Sequence, residues 1–317
     1  MADKETVKAQ NQPDTLYLPS LIQESLLPLR TGPTKATRKY RDVDVTVRSG
    51  SFQGEDLVLP AGAIARKLFH YIVTTANRHS SARVDLVSMN HLIKTIGVSK
   101  SAKTVKRIKA ELLCLSRTTI EIDQYKEVEG IAAAYGGTER IVSRFSLNGV
   151  NQDGQMSLFG SWIELSPEFW ERIKKHKFQP IMREAVWALS KPLAIDLYLW
   201  LQRRCQRKGM SKDGDLVTWE NIRAQFGRDD TDLNKLKRDI SSAAEAAAEK
   251  LIRFEWDSAP IVRITDEGLI LRPIPRQAQT ESQQQKESQA GLFSEEQSWA
   301  APEPKRVLEA RRQKRNK

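Results

Sequence analysis

Long apolar runs are missing from this 317-residue sequence. No window approaches the roughly 18 consecutive apolar residues of a membrane-crossing helix. The first 13 residues are polar, without the apolar centre of a secretion signal. The sequence therefore predicts a protein that works in the cytoplasm and away from membranes. Cysteine is nearly absent too. Cys114 and Cys205 sit among apolar neighbours in helical patterns, with no Cys-x-x-Cys and no Cys/His cluster. Two buried free thiols are expected, not a disulfide framework or a zinc site. His70, His79, His91 and His176 are far apart, so no His-x-His pair is there to hold the metal of a strand-nicking enzyme. No G-x-x-x-x-G-K-Ser/Thr loop exists, which disfavours ATP hydrolysis. Asp42/Asp44 fall on a strand face and Asp213/Asp215 flank a turn glycine, neither arrangement suiting a metal. No constellation of an enzyme is found, and neither cofactor nor metal is expected.

What the chain has in excess is positive charge. Lys and Arg number 51 against 40 Asp and Glu, a formal charge of +11. An excess of that size favours a polyanionic partner, because each neutralised phosphate releases counterions. Hydrophobic residues make up 39%, low for a chain packed from end to end, and the length predicts two domains plus tails.

Residues 1–40 read as a flexible arm, polar except for Leu16–Leu29, where Pro19 and Pro28 limit any docking helix to a short one. Val43, Val45 and Val47 alternate with polar residues as in a half-buried strand. Pro60 opens a helix with Ile64, Leu68, Phe69 and Ile72 at helical spacing. Ser88 caps a helix through Leu92, Ile93 and Ile96, and Gly97 supplies a turn. A second helix from Ser99 or Lys100 carries Val105, Ile108, Leu112 and Leu115. Strand Thr118–Ile122, a loop over Gly130–Gly137 with Gly136-Gly137 at its tip, and a return strand Ile141–Leu147 ending at Asn148-Gly149 follow. Helix, tight turn, helix, hairpin is the winged-helix order.

The order recurs. Ser166-Pro167 starts a helix over Glu168–Lys175, a helix over Ile181–Ser190 stops before Pro192, and Leu193–Arg207 forms another. Lys212–Asp215 is a turn, Thr218 caps Trp219–Phe226, and Gly227 breaks the chain. A long helix from Asp229 to Arg253 places Leu233, Leu236, Ile240, Ala244, Ala247 and Leu251 on a core stripe. Strands at Phe254–Trp256, Ile261–Thr265 and Leu269–Arg272 close a second hairpin around Asp266-Glu267-Gly268. The expected fold class is α+β, two tandem winged-helix domains over 41–160 and 161–275. A disordered basic tail, too poor in apolar residues to order itself, occupies 276–317.

With Val105, Ile108 and Leu112 facing the core, Lys100, Ser101, Lys103, Thr104 and Arg107 fall on the other face of the second helix. Cations for phosphates, with Arg, Ser and Thr for base edges, are what docking in the major groove of double-stranded DNA requires. Lys94, Lys106, Lys109 and Arg117 surround them, and Glu111 is the only acid between Lys94 and Arg117, whereas a merely solvated face mixes signs. The second unit offers Asn234, Lys235, Lys237, Arg238 and Ser241. Asp229, Asp230, Asp232 and Asp239 offset that set, unless they serve to cap the helix against its dipole. Arg172, Lys174, Lys175, Lys177 and Arg183, with Arg203, Arg204, Arg207 and Lys208, suit either backbone phosphates or stacking over Trp170 and Trp187.

Trp162 to Pro275, over a third of the chain, resembles the C-terminal part of plasmid-encoded RepA replication initiators. The resemblance rests on four stretches: Ile163-Glu164-Leu165-Ser166-Pro167-Glu168-Phe169, Ala194-Ile195-Asp196-Leu197-Tyr198-Leu199-Trp200-Leu201, Thr218-Trp219 through Gln225-Phe226-Gly227, and Leu269-Ile270-Leu271-Arg272-Pro273. The N-terminal half is similar to that family in architecture alone. The resemblance implies binding to direct repeats (iterons) at a plasmid origin, opening of nearby A+T-rich DNA, and recruitment of the host replicative helicase and polymerase components. It also implies a monomer–dimer equilibrium in which the dimer does not initiate. Gln155-Met156-Ser157-Leu158-Phe159 and Gln289-Ala290-Gly291-Leu292-Phe293 each resemble the bacterial sliding-clamp-binding pentapeptide. In such peptides Gln155 or Gln289 bonds at a pocket rim while Leu158-Phe159 or Leu292-Phe293 fills it. Met156 and Leu158 alternatively serve as core residues. A winged-helix transcriptional repressor without an initiation role is the alternative reading.

Overall fold

The computed structural model describes residues 15–18, 27–40, 43–128, 131–147, 160–175, 179–205, 210–211, 213–226, 232–255 and 261–273. Helices and strands are mixed throughout, an α+β fold. Two strands lie inside the stretch expected as a flexible arm. β1 (Thr15–Leu18) pairs antiparallel with β11 (Gln179–Met182), placing buried Leu16 opposite buried Ile181. β2 (Lys35–Tyr40) pairs with β3 (Val43–Arg48), where Val45 and Val47 are buried, but Thr46 between them is buried too, because β3 is an inner strand of its sheet. β7 (Thr119–Val128) and β8 (Ile131–Arg140) complete a four-stranded sheet in the order β2-β3-β7-β8. β4 (Ser51–Phe52) and β5 (Glu55–Asp56) form a small separate hairpin.

The partner of β7 is a correction to the sequence reading. Gly130–Gly137 was expected as a loop, yet β8 begins at Ile131, and Gly136 and Gly137 pair with Asp123 and Ile122 in mid-strand. A Cβ at 136 would lie 2.7 Å from Asp123 Oδ1, so any larger residue there would have to displace that carboxylate. An Ala/Gly-rich strand carries no β-branched signal of its own, and its conformation comes from pairing. The stretch expected to return to Thr118–Ile122 instead forms β9 (Val142–Ser146), which pairs with β10 (Ser161–Leu165).

Two parts of the chain repeat one topology. Helix α1 (Gly62–Arg78) leads to β6 (Arg83–Leu86), α2 (Met89–Thr95) and α3 (Ala102–Ser116), then past the β7–β8 hairpin to β9 and β10. The three strands of this part form a sheet in the order β6-β10-β9. Helix α6 (Pro192–Cys205) leads in the same way to β12 (Asp215–Thr218), α7 (Trp219–Phe226), α8 (Leu233–Glu255), β13 (Val262–Ile264) and β14 (Gly268–Leu271). That sheet has the order β12-β14-β13. In both, the last strand of the series lies in the middle. β10, expected to open the second domain at 161, thus completes the first sheet.

Helices α4 (Pro167–Lys175) and α5 (Arg183–Ala188), with β11 between them, connect the two copies. Ile181, expected in a helix over Ile181–Ser190, belongs to β11 instead. Buried side chains from both copies and from Leu16 and Leu27 form one continuous core. α1 lies inside it and buries Arg66, Lys67 and His70 as well as Leu68, Phe69 and Ile72. In α8, Leu236, Ile240, Ala244, Ala247 and Leu251 are buried as expected, but Leu233 is 38% exposed because the helix starts at that residue, outside the core. Phe254, expected in a strand, is in the last turn of α8. Cys114 and Cys205 are buried free thiols, and burial pushes them up to about 11 and about 12.

Candidate nucleic-acid interface

α2 and α3 are a helix-turn-helix with both starts capped. Ser88 Oγ accepts from the His91 amide at 3.1 Å. Gly97 turns the chain at φ +63°, a left-handed conformation that favours glycine. The N-cap of α3 is Ser101, so the helix begins later than Ser99 or Lys100. Ser101 Oγ accepts from the Thr104 amide at 3.1 Å and lies 2.9 Å from Thr104 Oγ1. The two hydroxyls expected at base edges are therefore bonded to each other and to the helix start.

Lys94, Lys100, Lys103 and Lys106 are exposed and form no ion pair among the described residues. Arg107 is placed differently. Its Nη2 lies 2.5 Å from Glu111 Oε1 and donates to Thr31 Oγ1 at 2.7 Å and to the Ala61 carbonyl at 3.4 Å. Glu111 is only 4% exposed, and its Oε2 accepts from the Ala61 amide at 3.0 Å. Ala61 is the N-cap of α1 and has no capping side chain, so Glu111 supplies from α3 the acceptor and negative charge that this helix start lacks. Burial still raises its carboxyl above the ordinary range, against the pull of the Ala61 amide and Arg107. The one acid of the run is thus inside the fold, and Arg107 is its counter-ion. Lys109 is half-buried, its amine lowered by desolvation. Arg117 packs over Phe52 and Phe145, 5.6 and 5.1 Å from their ring centroids.

The second helix-turn-helix is α7 and α8. Thr218 Oγ1 accepts from the Asn221 amide at 3.3 Å, and Asp232 accepts from the Lys235 amide at 3.2 Å, the capping role open to it from sequence. Gly227, Asp229 and Asp230 lie outside the described residues. Asn234, Lys235 and Arg238 are exposed, with Asp239 beside them. Lys237 is half-buried, 5.6 Å over the Trp219 ring, and donates to the Asp266 carbonyl at 3.4 Å, which ties α8 to the β13–β14 turn. Ser241 is half-buried.

Several cations of the third basic group are engaged by other side chains. Arg172 forms a two-pronged ion pair with Glu139 of β8, and Lys174 pairs with Glu171 and lies 5.7 Å over Trp170. Arg204 lies 5.0 Å over Trp200. Arg183 is half-buried. Lys177, Arg207 and Lys208 lie outside the described residues, as do both clamp-like peptides with Gln155, Leu158, Phe159, Gln289, Leu292 and Phe293. The first peptide falls in the chain segment between β9 and β10. Arg144 of β9 and Arg263 of β13 are exposed cations on the two hairpins that the sequence reading missed. Their signal was the polar position of an alternating strand.

A family model described as plasmid encoded RepA protein matches residues 59–221, just over half of the chain. The chain belongs to this family of plasmid replication initiators. The match starts just before α1 and ends within α7. The first half, expected to share only architecture with the family, therefore carries its sequence as well. Two crystal structures of domains 2 and 3 of RctB are similar to it. One has 13% identity and a TM-score of 0.48, covering 70% of this chain and 82% of that one. The other has 14% identity and a TM-score of 0.47, covering 76% and 86%. No curated protein matches the chain. Among the described residues, no helix is long and apolar enough to cross a membrane.

Proposed function

We propose that the chain initiates plasmid replication by binding repeated double-stranded DNA through two winged-helix units. The observation that carries this is the double occurrence of one topology, a helix-turn-helix flanked by one strand before it and two after it, in sheets ordered β6-β10-β9 and β12-β14-β13. In such a unit the second helix of the pair enters the major groove while the flanking elements grip the backbone. Lys94, Lys100, Lys103 and Lys106 hold phosphates around α3. Asn234, Lys235 and Arg238 read from α8, and Arg107 and Lys237 brace the two helices from behind. Two reading helices in one chain contact major-groove segments about one helical turn apart, so one chain occupies one iteron.

Origin opening, recruitment of the replicative helicase, clamp binding through Gln155–Phe159 or Gln289–Phe293, and a monomer–dimer equilibrium belong to the same reading. The protein acts in the cytoplasm, without catalysis, cofactor or metal. A protection footprint on the DNA beside the coding gene tests it. Tandem protected segments of roughly two helical turns each are expected. One palindromic segment would instead make the chain a repressor, and nucleotide hydrolysis or strand nicking by the purified protein would overturn the reading.

A further inference from the structure

Trp187 belongs to α5, outside both helix-turn-helix pairs, yet it is built into the turn of the first. Its indole N–H donates to the Thr95 carbonyl at the end of α2. Its ring fills the space beside Gly97, where a Cβ would lie 3.0 Å from Trp187 Cβ and 3.2 Å from Cδ1. Its own carbonyl accepts from Lys67 Nζ of α1 at 2.8 Å, and that ammonium lies 5.7 Å from the ring centroid. The neighbouring Arg66 makes a two-pronged ion pair with Asp196 of α6 at 2.6 and 2.7 Å, the two side chains 3% and 5% exposed. Its remaining N–H groups donate to the carbonyls of Leu27, Pro28 and Gly62.

A tether between two freely turning units needs none of this. Separating α1 from α5 and α6 would break the Arg66–Asp196 ion pair and the bond from Lys67 to the Trp187 carbonyl, and losing the partner of a largely buried charge is costly. β1, packed on α1, pairs with β11 of the connecting segment, and β2, from before the first copy, packs on α7 of the second, so the chain is held together at two further places. We propose that Trp187, anchored by Lys67 and by the Arg66–Asp196 pair, is the positioning residue that fixes the first reading helix against the second, so that one chain accepts a single spacing between the two halves of its repeat. This rests on the DNA-reading function proposed above.

The test is selection by the full chain from a randomised duplex library about 40 base pairs long, followed by affinities for the selected site with and without an insertion of about five base pairs, half a helical turn, between its halves. The native chain should enrich two half-motifs at one spacing and lose about a hundredfold in affinity on insertion. Trp187→Phe keeps an aromatic side chain but removes the indole donor and the pyrrole half of the ring beside Gly97, and Lys67→Met removes the anchoring charge. In both, the insertion penalty should shrink to roughly tenfold while affinity for a single half-motif is unchanged. Half-motifs enriched at several spacings by the native chain, or an undiminished penalty in both variants, would overturn the inference and leave DNA reading standing. Enrichment of no motif would overturn both.

Discussion

Around α3 the acid is inside and the cations are outside, whereas around α8 the two signs share the surface. Glu111 is folded under α3 against Arg107 and the start of α1, leaving Lys94, Lys100, Lys103 and Lys106 as a face of one sign. On α8, exposed Lys235 and Arg238 stand beside exposed Asp232 and Asp239, and Lys237 is drawn back over Trp219. A uniform positive face attracts any stretch of backbone and weakens as salt rises. A mixed face carrying Asn and Arg gives up that attraction and depends on the donor and acceptor pattern of the bases. Under the DNA-reading function proposed above, this difference would give affinity to the first unit and discrimination to the second.

The largest expected effect tests whether the two faces belong to one body at all. Asp196→Ala leaves Arg66 buried without its counter-ion and should cost about 3–5 kcal/mol, read by denaturant unfolding. Both units should melt in the same transition, and two separate transitions would break the comparison into independent domains. Next, Arg238→Ala with Asn234→Ala should cut the preference for the cognate repeat by about 1–3 kcal/mol at the affected base pair. Lys100→Ala with Lys103→Ala should weaken all duplexes alike and lower the salt slope by about two. If the pairs exchange these effects, the division of labour is reversed.

A smaller effect separates capping from reading. Ser101→Ala should cost about 1 kcal/mol of stability without altering base preference, since its hydroxyl is engaged at the start of α3. The smallest is a pH effect. Burial lowers the Lys67 amine from 10.5 to about 8. Between those values the unfolded chain binds the proton that the folded chain has released, so stability should rise with pH across that window. Melting curves of Lys67→Met should lack this rise.

What was legible in the sequence was local. The caps at Ser88, Ser166 and Thr218, the turn at Gly97 and the strand β3 are set by residues within a few positions of one another, and they appear where their spacing puts them. What was hidden was set at long range. β8 reads as loop because Ala and Gly take their strand conformation from β7. Ile181 reads as helix until β1 pairs with it. Arg107 and Glu111 are spaced to pair on any helix, and only the nearby start of α1 shows that the pair turns inward. The sequence pattern of α1 marks only Ile64, Leu68, Phe69 and Ile72 as inward-facing, and the partners that bury Arg66 and Lys67 come both from about forty residues earlier, at Leu27 and Pro28, and from more than a hundred later, at Trp187 and Asp196. His70 is left neutral by its burial, lowered to about 3, with Nδ1 unpartnered among the described residues.

The Arg66–Asp196 pair also has a consequence in time. The two residues are 130 positions apart, so a ribosome adding 5–20 residues per second leaves the guanidinium waiting on the order of ten seconds for its carboxylate. For that interval the first unit has its own strands and helices but an unneutralised cation where its interior should close. The emerging chain is exposed to proteases and chaperones in that state, and a fragment ending before α6 would remain in it permanently.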